Sequence, residues 1–110
     1  MSDVTSFAIE QGTDNVYADL GNPAAREMLV KAELAREIAR ILKDRKLTQQ
    51  QAAAVLGMPQ PKLSEMLRGK FRGISQAKMI ECLNRLGRDV EIVVKKAKRQ
   101  AAGHTQVVVA

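Results

Sequence analysis

Between Pro59 and Gly73 the chain reads PQPKLSEMLRGKFRG, and its polar residues are of kinds that recognise an anionic polymer. Gln60 carries an amide that donates and accepts at once, the pattern that pairs with an adenine edge; Lys62 carries an ammonium suited to the acceptors of guanine. Arg68, Lys70 and Arg72 follow within one short stretch. Three cations placed there can neutralise phosphates and release the counterions condensed on them. The chemistry implied is non-covalent, charge neutralisation with hydrogen bonding to base edges.

Residues for covalent or metal chemistry are not arranged for it. Ser64 stands beside Glu65 with no base partner and no oxyanion donors in view, so nucleophilic catalysis is not expected. Cys82 and His104 are the one cysteine and the one histidine, too few for a tetrahedral metal set. Cys82 falls on the inward side of a helical segment with Met79 and Leu83, the setting of a buried structural thiol. No glycine-rich phosphate loop is present. The chain therefore reads as a non-enzyme with no catalytic residue, no metal ligand and no cofactor.

Placing Gln60 and Lys62 requires short helices, and the punctuation for them is present. Thr48 opens a helix with a capping box, its hydroxyl accepting from the backbone three residues on while Gln51 reaches back. That helix, Gln49 to Leu56, stops at Gly57. Pro59 and Pro61 then lie in the first turn of the next helix, where missing N–H groups cost little, and Arg68-Gly69 ends it. With Leu63, Met66 and Leu67 turned inward, Gln60, Pro61, Ser64, Glu65 and Arg68 fall on or near the outer face. The pair has helix-turn-helix spacing, and its exposed first turn suits insertion N-terminus first into a major groove.

A frame surrounds this pair. Asn22-Pro23 starts a long amphipathic helix that runs to about Lys46, with Leu34, Ala35, Ile38, Ile41 and Leu42 recurring at three- and four-residue spacing. Its outer face carries Lys31, Arg36, Glu37, Arg40, Lys43 and Asp44. Ser75 caps a fourth helix, stapled by Ile74 and Met79 and ended by Gly87. After Gly87 the period changes to alternation: Val90, Ile92 and Val94 point one way in RDVEIVVK and Glu91, Val93 and Lys95 the other, which predicts one strand. A lone strand cannot satisfy its own backbone, so a second copy, paired two-fold and antiparallel, is the simplest partner. A strand from the N-terminal arm is the competing partner.

The 110 residues carry 45% hydrophobic but only 3% aromatic side chains, so an aliphatic core of packed helices is expected in one small domain. The net charge of +6 is uneven. Residues 1 to 30 hold five acids and one base, a net of −4, which leaves +10 for residues 31 to 110. The expected organisation is an acidic arm over 1–21, a binding domain with its dimerisation strand over 22–95, and a disordered tail over 96–110. No apolar run approaches the roughly 20 residues needed to span a bilayer. One cysteine excludes an intrachain disulfide, and no basic-then-apolar leader opens the chain, so the expected location is cytoplasmic.

LTQQQAAAVLGMPQPKLSEMLRGKF, residues 47 to 71, resembles the helix-turn-helix of the phage-repressor/Cro (XRE) family, and more closely its small HigA-like antitoxin regulators. The shared pattern is a Leu-Thr-Gln start, an alanine-rich helix, Leu-Gly, Gln-Pro-x-hydrophobic-Ser and a Leu-x-Gly ending. NVYADLGNP before the first helix and LGRDVEIVVK after the last resemble the flanks of that subgroup. The resemblance implies a mainly α fold, a repressor-like bundle of four to five helices with one C-terminal β-strand that pairs in a dimer. It implies that Gln49 holds a phosphate and braces the second helix, that Gln60, Lys62 and Glu65 face bases, and that Ser64, Arg68, Lys70 and Arg72 lie along the DNA backbone. The chain departs from the family at Pro59, where Ser or Thr is common, and at Glu65, a carboxylate tolerated at a base only where it accepts from cytosine N4.

The expected function is sequence-specific transcriptional regulation at a palindromic double-stranded operator, by a homodimer held through Val90, Ile92 and Val94. The resemblance adds autorepression and neutralisation of a partner toxin, which the acidic arm or the first helix would contact. The alternative is a protein-interaction module that neutralises a partner without specific DNA binding. No membrane partner is expected.

Overall fold

The computed structural model describes residues 23–97 and 102–110. Four α-helices lie among them: α1 (Pro23–Asp44), α2 (Gln49–Leu56), α3 (Gln60–Leu67) and α4 (Gln76–Arg85). Local side-chain chemistry accounts for the starts of α2 and α4. Thr48 Oγ1 accepts from the Gln51 backbone N–H at 3.1 Å, and the Gln51 side chain accepts from the Thr48 N–H at 2.9 Å, closing the capping box of α2. Ser75 Oγ accepts from the Lys78 N–H at 3.0 Å and starts α4. No side chain caps α3; Pro59 is its N-cap and Pro61 lies in its first turn.

Every helix is followed by a residue in the left-handed region. After α2, α3 and α4 that residue is Gly57, Gly69 and Gly87, at φ 65, 86 and 81. After α1 it is Lys46, at φ 56. The Lys46 N–H donates to the Lys43 carbonyl and the Leu47 N–H to the Leu42 carbonyl, which are the two reversed bonds of a Schellman ending. A lysine has thus taken the place for which glycine is best suited, at a conformational cost to its Cβ.

Residues Lys31–Val90 form one compact unit, and Met1–Val30 with Glu91–Ala110 form the other. In the Lys31–Val90 unit, Leu34, Ala35, Ile38, Ile41 and Leu42 of α1 are all buried, as their helical spacing predicts. Ala52, Ala53 and Leu56 of α2, Leu63 and Met66 of α3, and Met79, Cys82 and Leu83 of α4 complete this aliphatic core with Met58, Phe71, Ile74 and Leu86 from the connections. Helix α2 packs against both α3 and α4. Its small Ala52 and Ala53 faces permit the approach. Leu67, expected in the core, is half-buried. It lies at the edge of the inward stripe, and Leu63 and Met66 occupy the centre.

The strand expected over Val90 to Lys95 is not formed: residues 88–97 carry neither helix nor strand. Val90 is half-buried, whereas Ile92, Val93 and Val94 are 80%, 74% and 92% exposed. Among the described residues no second segment is paired with it, so the alternation finds no ladder there. Residues 102–110 likewise carry no helix or strand. The acidic arm over 1–21, and the Asn22 cap, lie outside the described residues. No helix among the described residues is long and apolar enough to cross a membrane.

Candidate nucleic-acid interface

Gly57, Met58 and Pro59 make the turn between α2 and α3. The Gly57 and Met58 N–H groups both donate to the Ala53 carbonyl, and buried Met58 pins the turn from inside. The Leu63 N–H donates back to the Pro59 carbonyl at 3.1 Å, so α3 begins directly after the proline. Leu63 and Met66, each fully buried, fix the rotation of α3 about its axis.

That rotation decides what faces outward. At about 100° per residue, Pro61, Glu65 and Arg68 fall opposite Leu63 and Met66, with Gln60 on one flank and Lys62 on the other. Exposure agrees: Gln60, Pro61, Glu65 and Arg68 are exposed, and Lys62, Ser64 and Leu67 are half-buried. Arg68 Nη1 donates to Ser64 Oγ at 2.8 Å, so these two form one polar edge along α3. Gln49 is exposed at the start of α2 and its side chain makes no hydrogen bond among the described residues.

The loop after α3 is held rather than loose. The Gly69 and Lys70 N–H groups donate to the Met66 and Glu65 carbonyls, and Phe71 and Ile74 are 5% and 2% exposed. Lys70 and Arg72 flank the buried ring and project into solvent. Gly73 stands at φ 78, and the Lys62 Nζ lies 3.2 Å from where a Cβ on Gly73 would stand. Of the eight expected nucleic-acid contacts, the fold gathers Gln60, Lys62, Ser64, Glu65, Arg68, Lys70 and Arg72 on α3 and its exit loop. Gln49 stands apart from them in sequence, on α2.

Arg40, Lys78 and Arg85 are neutralised within the chain. On α1, Arg40 donates to Glu37 and to Asp44, the latter at 3.0 Å. On α4, Glu81 holds Arg85 at 2.9 Å and Lys78 at 3.6 Å. The Arg40 hydrogen bond keeps the Glu37 carboxyl below the ordinary carboxylate range, and the Arg85 hydrogen bond does the same for Glu81. Lys78 and Arg85 also reach the last carbonyls of α2, with Nζ 3.5 Å from Leu56 O and Nη1 3.5 Å from Val55 O. Positive charge at a helix C-terminus offsets the negative pole of its dipole. By contrast Lys62, Arg68, Lys70 and Arg72 enter no ion pair among the described residues, and Glu65 is the one carboxylate between Pro59 and Gly73. Four cations without an ion pair among the described residues therefore stand together where α3 presents its polar edge.

Cys82 is fully buried, and burial pushes its thiol above the usual range. No group of three or more His, Cys, Asp or Glu side chains among the described residues is placed to hold a metal ion. Sequence reasoning passed over Phe71 and Met58 as anchors, since each lies in a connection where no helical period flags it. An aromatic residue between two cations in a chain of 3% aromatic content was the available signal.

A family of helix-turn-helix domains matches residues 16–95 of the chain. A solved structure described as a "Putative XRE Family Transcriptional Regulator" is 39% identical to this chain, covers 80% of it and the whole of that chain, and superposes with a TM-score of 0.75. No curated protein matches at a significant level.

Proposed function

This chain belongs to the helix-turn-helix family, in its XRE-type branch, and from that premise we propose that it is a DNA-binding transcriptional regulator acting as a homodimer on a palindromic operator. One observation carries the reading: Arg68, Lys70 and Arg72 stand together at the exit of α3 with no counter-charge among the described residues, whereas Arg40 on α1 and Lys78 and Arg85 on α4 are bound to carboxylates. A duplex supplies it. Each phosphate that meets one of these side chains releases condensed cations, so affinity falls steeply with salt.

In this reading α3 enters the major groove with Gln60 and Glu65 toward base edges. Gln60 pairs with adenine, and Glu65 accepts from cytosine N4. Ser64 and Arg68 lie along one backbone, Lys70 and Arg72 follow it, and Gln49 meets a phosphate from the first turn of α2. Val90, Ile92 and Val94 pair with the same segment of a second copy, a reading supported by their alternation and by the exposure of Ile92 and Val94. A pair of strands so joined would set two α3 helices about 34 Å apart, one DNA turn. The resemblance of residues 47–71 to HigA-like regulators supports a narrower version, an autorepressing antitoxin that also covers a toxin partner.

A mobility-shift titration tests the proposal, using the duplex upstream of the protein's own coding sequence and a scrambled duplex of equal length. The wild type should prefer the first. Gln60→Ala should erase that preference while leaving weak, salt-sensitive binding; joint replacement of Arg68, Lys70 and Arg72 by Ala should weaken binding to both duplexes alike. Binding of a protein partner with no duplex binding at any salt concentration would leave the interaction-module alternative instead. Sedimentation showing a monomer at micromolar concentration would remove the palindrome.

A further inference from the structure

We propose that Lys62 is a phosphate-clamp residue, its ammonium held over Gly73 so that it grips the DNA backbone with Lys70 and Arg72 instead of reading a base. This rests on the duplex-binding reading above. Position on α3 is the first ground. Lys62 lies on the flank of the helix next to the buried Met66 and is half-buried, whereas Gln60, Pro61 and Glu65 are exposed. Its stem crosses from α3 to the loop, and the ammonium ends 3.2 Å from where a Gly73 Cβ would be. A lysine that has used its length in that direction does not reach the groove face of α3.

The second ground is the destination. Phe71 and Ile74 fix the loop to the core, and Arg72 immediately precedes Gly73. The Lys62 ammonium has no carboxylate or carbonyl partner among the described residues, so a half-buried cation stands in a cationic loop with nothing of the chain's own to neutralise it. An external phosphate oxygen, accepting from Lys62 and from the neighbouring Arg72, satisfies both. Gly73 suits the site through its φ of 78, and a Cβ there would crowd the ammonium at 3.2 Å.

Two measurements test it on the full chain, with Lys62→Met, which keeps the stem and removes the charge, and Lys62→Arg. In the first, each variant selects from a pool of randomised duplexes about two DNA turns long, and binding to the selected duplex is followed against salt. The expected result for Lys62→Met is the same preferred sequence as wild type with a log–log salt slope shallower by about 1.8, one phosphate for each protomer of the homodimer, and recovery of the slope in Lys62→Arg. A changed preference at one base position with an unchanged slope overturns the proposal. In the second, inorganic phosphate is titrated while the Arg72 and Gly73 amide resonances are followed. Saturable shifts in wild type, absent in Lys62→Met, support the clamp even if no duplex binds, in which case the duplex reading alone falls. No shift in wild type overturns the clamp.

Discussion

The Arg45 guanidinium donates to the backbone carbonyl of Leu86, 41 residues away, and so ties the loop ahead of α2 to the end of α4. Leu86 is fully buried and its carbonyl belongs to the last turn of α4, where a cation also meets the negative pole of the helix. Replacing Arg45 by Ala should lower stability by about 1 kcal/mol, the usual net worth of such a hydrogen bond. Urea unfolding would read this as a lower midpoint at an unchanged slope; an unmoved midpoint would mean that the contact contributes nothing.

Lys46 offers the opposite change. Its left-handed backbone after α1 strains a Cβ-bearing residue, and Lys46→Gly relieves that strain while giving up some of the order that lysine imposes on the unfolded chain. The relief is the larger effect. A gain of about 0.5–1 kcal/mol is expected, seen as a rise in melting temperature, whereas Lys46→Val at the same site should lower it.

Cys82 provides a chemical clock for opening. Burial holds its thiol protonated and out of reach, so at mildly alkaline pH, where a free thiol is partly ionised, the native protein should react with a thiol reagent far more slowly than the urea-unfolded chain. The native rate should follow the opening equilibrium and rise on adding denaturant. Equal rates in native and unfolded protein would contradict the buried placement.

Glu65 should act as a filter within the proposed interface. A carboxylate on the groove face repels phosphate and is compensated only at a cytosine amino group, so Glu65→Gln should bind every duplex more tightly and discriminate less at one position. The lost discrimination should be about tenfold, within the roughly 1–3 kcal/mol that one good base contact carries. Competition between the selected duplex and its single-base variants measures it, and undiminished selectivity would move Glu65 away from the bases.

Helix boundaries were legible where one side chain settles them. Thr48 with Gln51, Ser75, Gly57, Gly69 and Gly87 each act on backbone groups within a few residues, and the helices end where those residues stand. The burial of Leu63 and Met66 was legible for a similar reason, since period alone puts them on one stripe. Leu67 was not, because whether the rim of a stripe is covered depends on which neighbour reaches it. Phe71 and Met58 depend on tertiary placement of connections, and the direction of Lys62 depends on a loop eleven residues further on. The Val90 to Lys95 alternation does not settle a strand by itself, since its hydrogen bonds need a partner segment and none is paired with it among the described residues.

Phe71 changes the entropy of whatever the loop after α3 binds. With its ring in the core, the backbone carrying Lys70 and Arg72 is ordered when the protein folds, so a ligand that meets those side chains has only their rotamers left to restrict. A loop of the same charge without that anchor would surrender main-chain freedom at the moment of contact and bind more weakly for the same number of ionic contacts. The ring thus moves an ordering cost from the encounter to the fold.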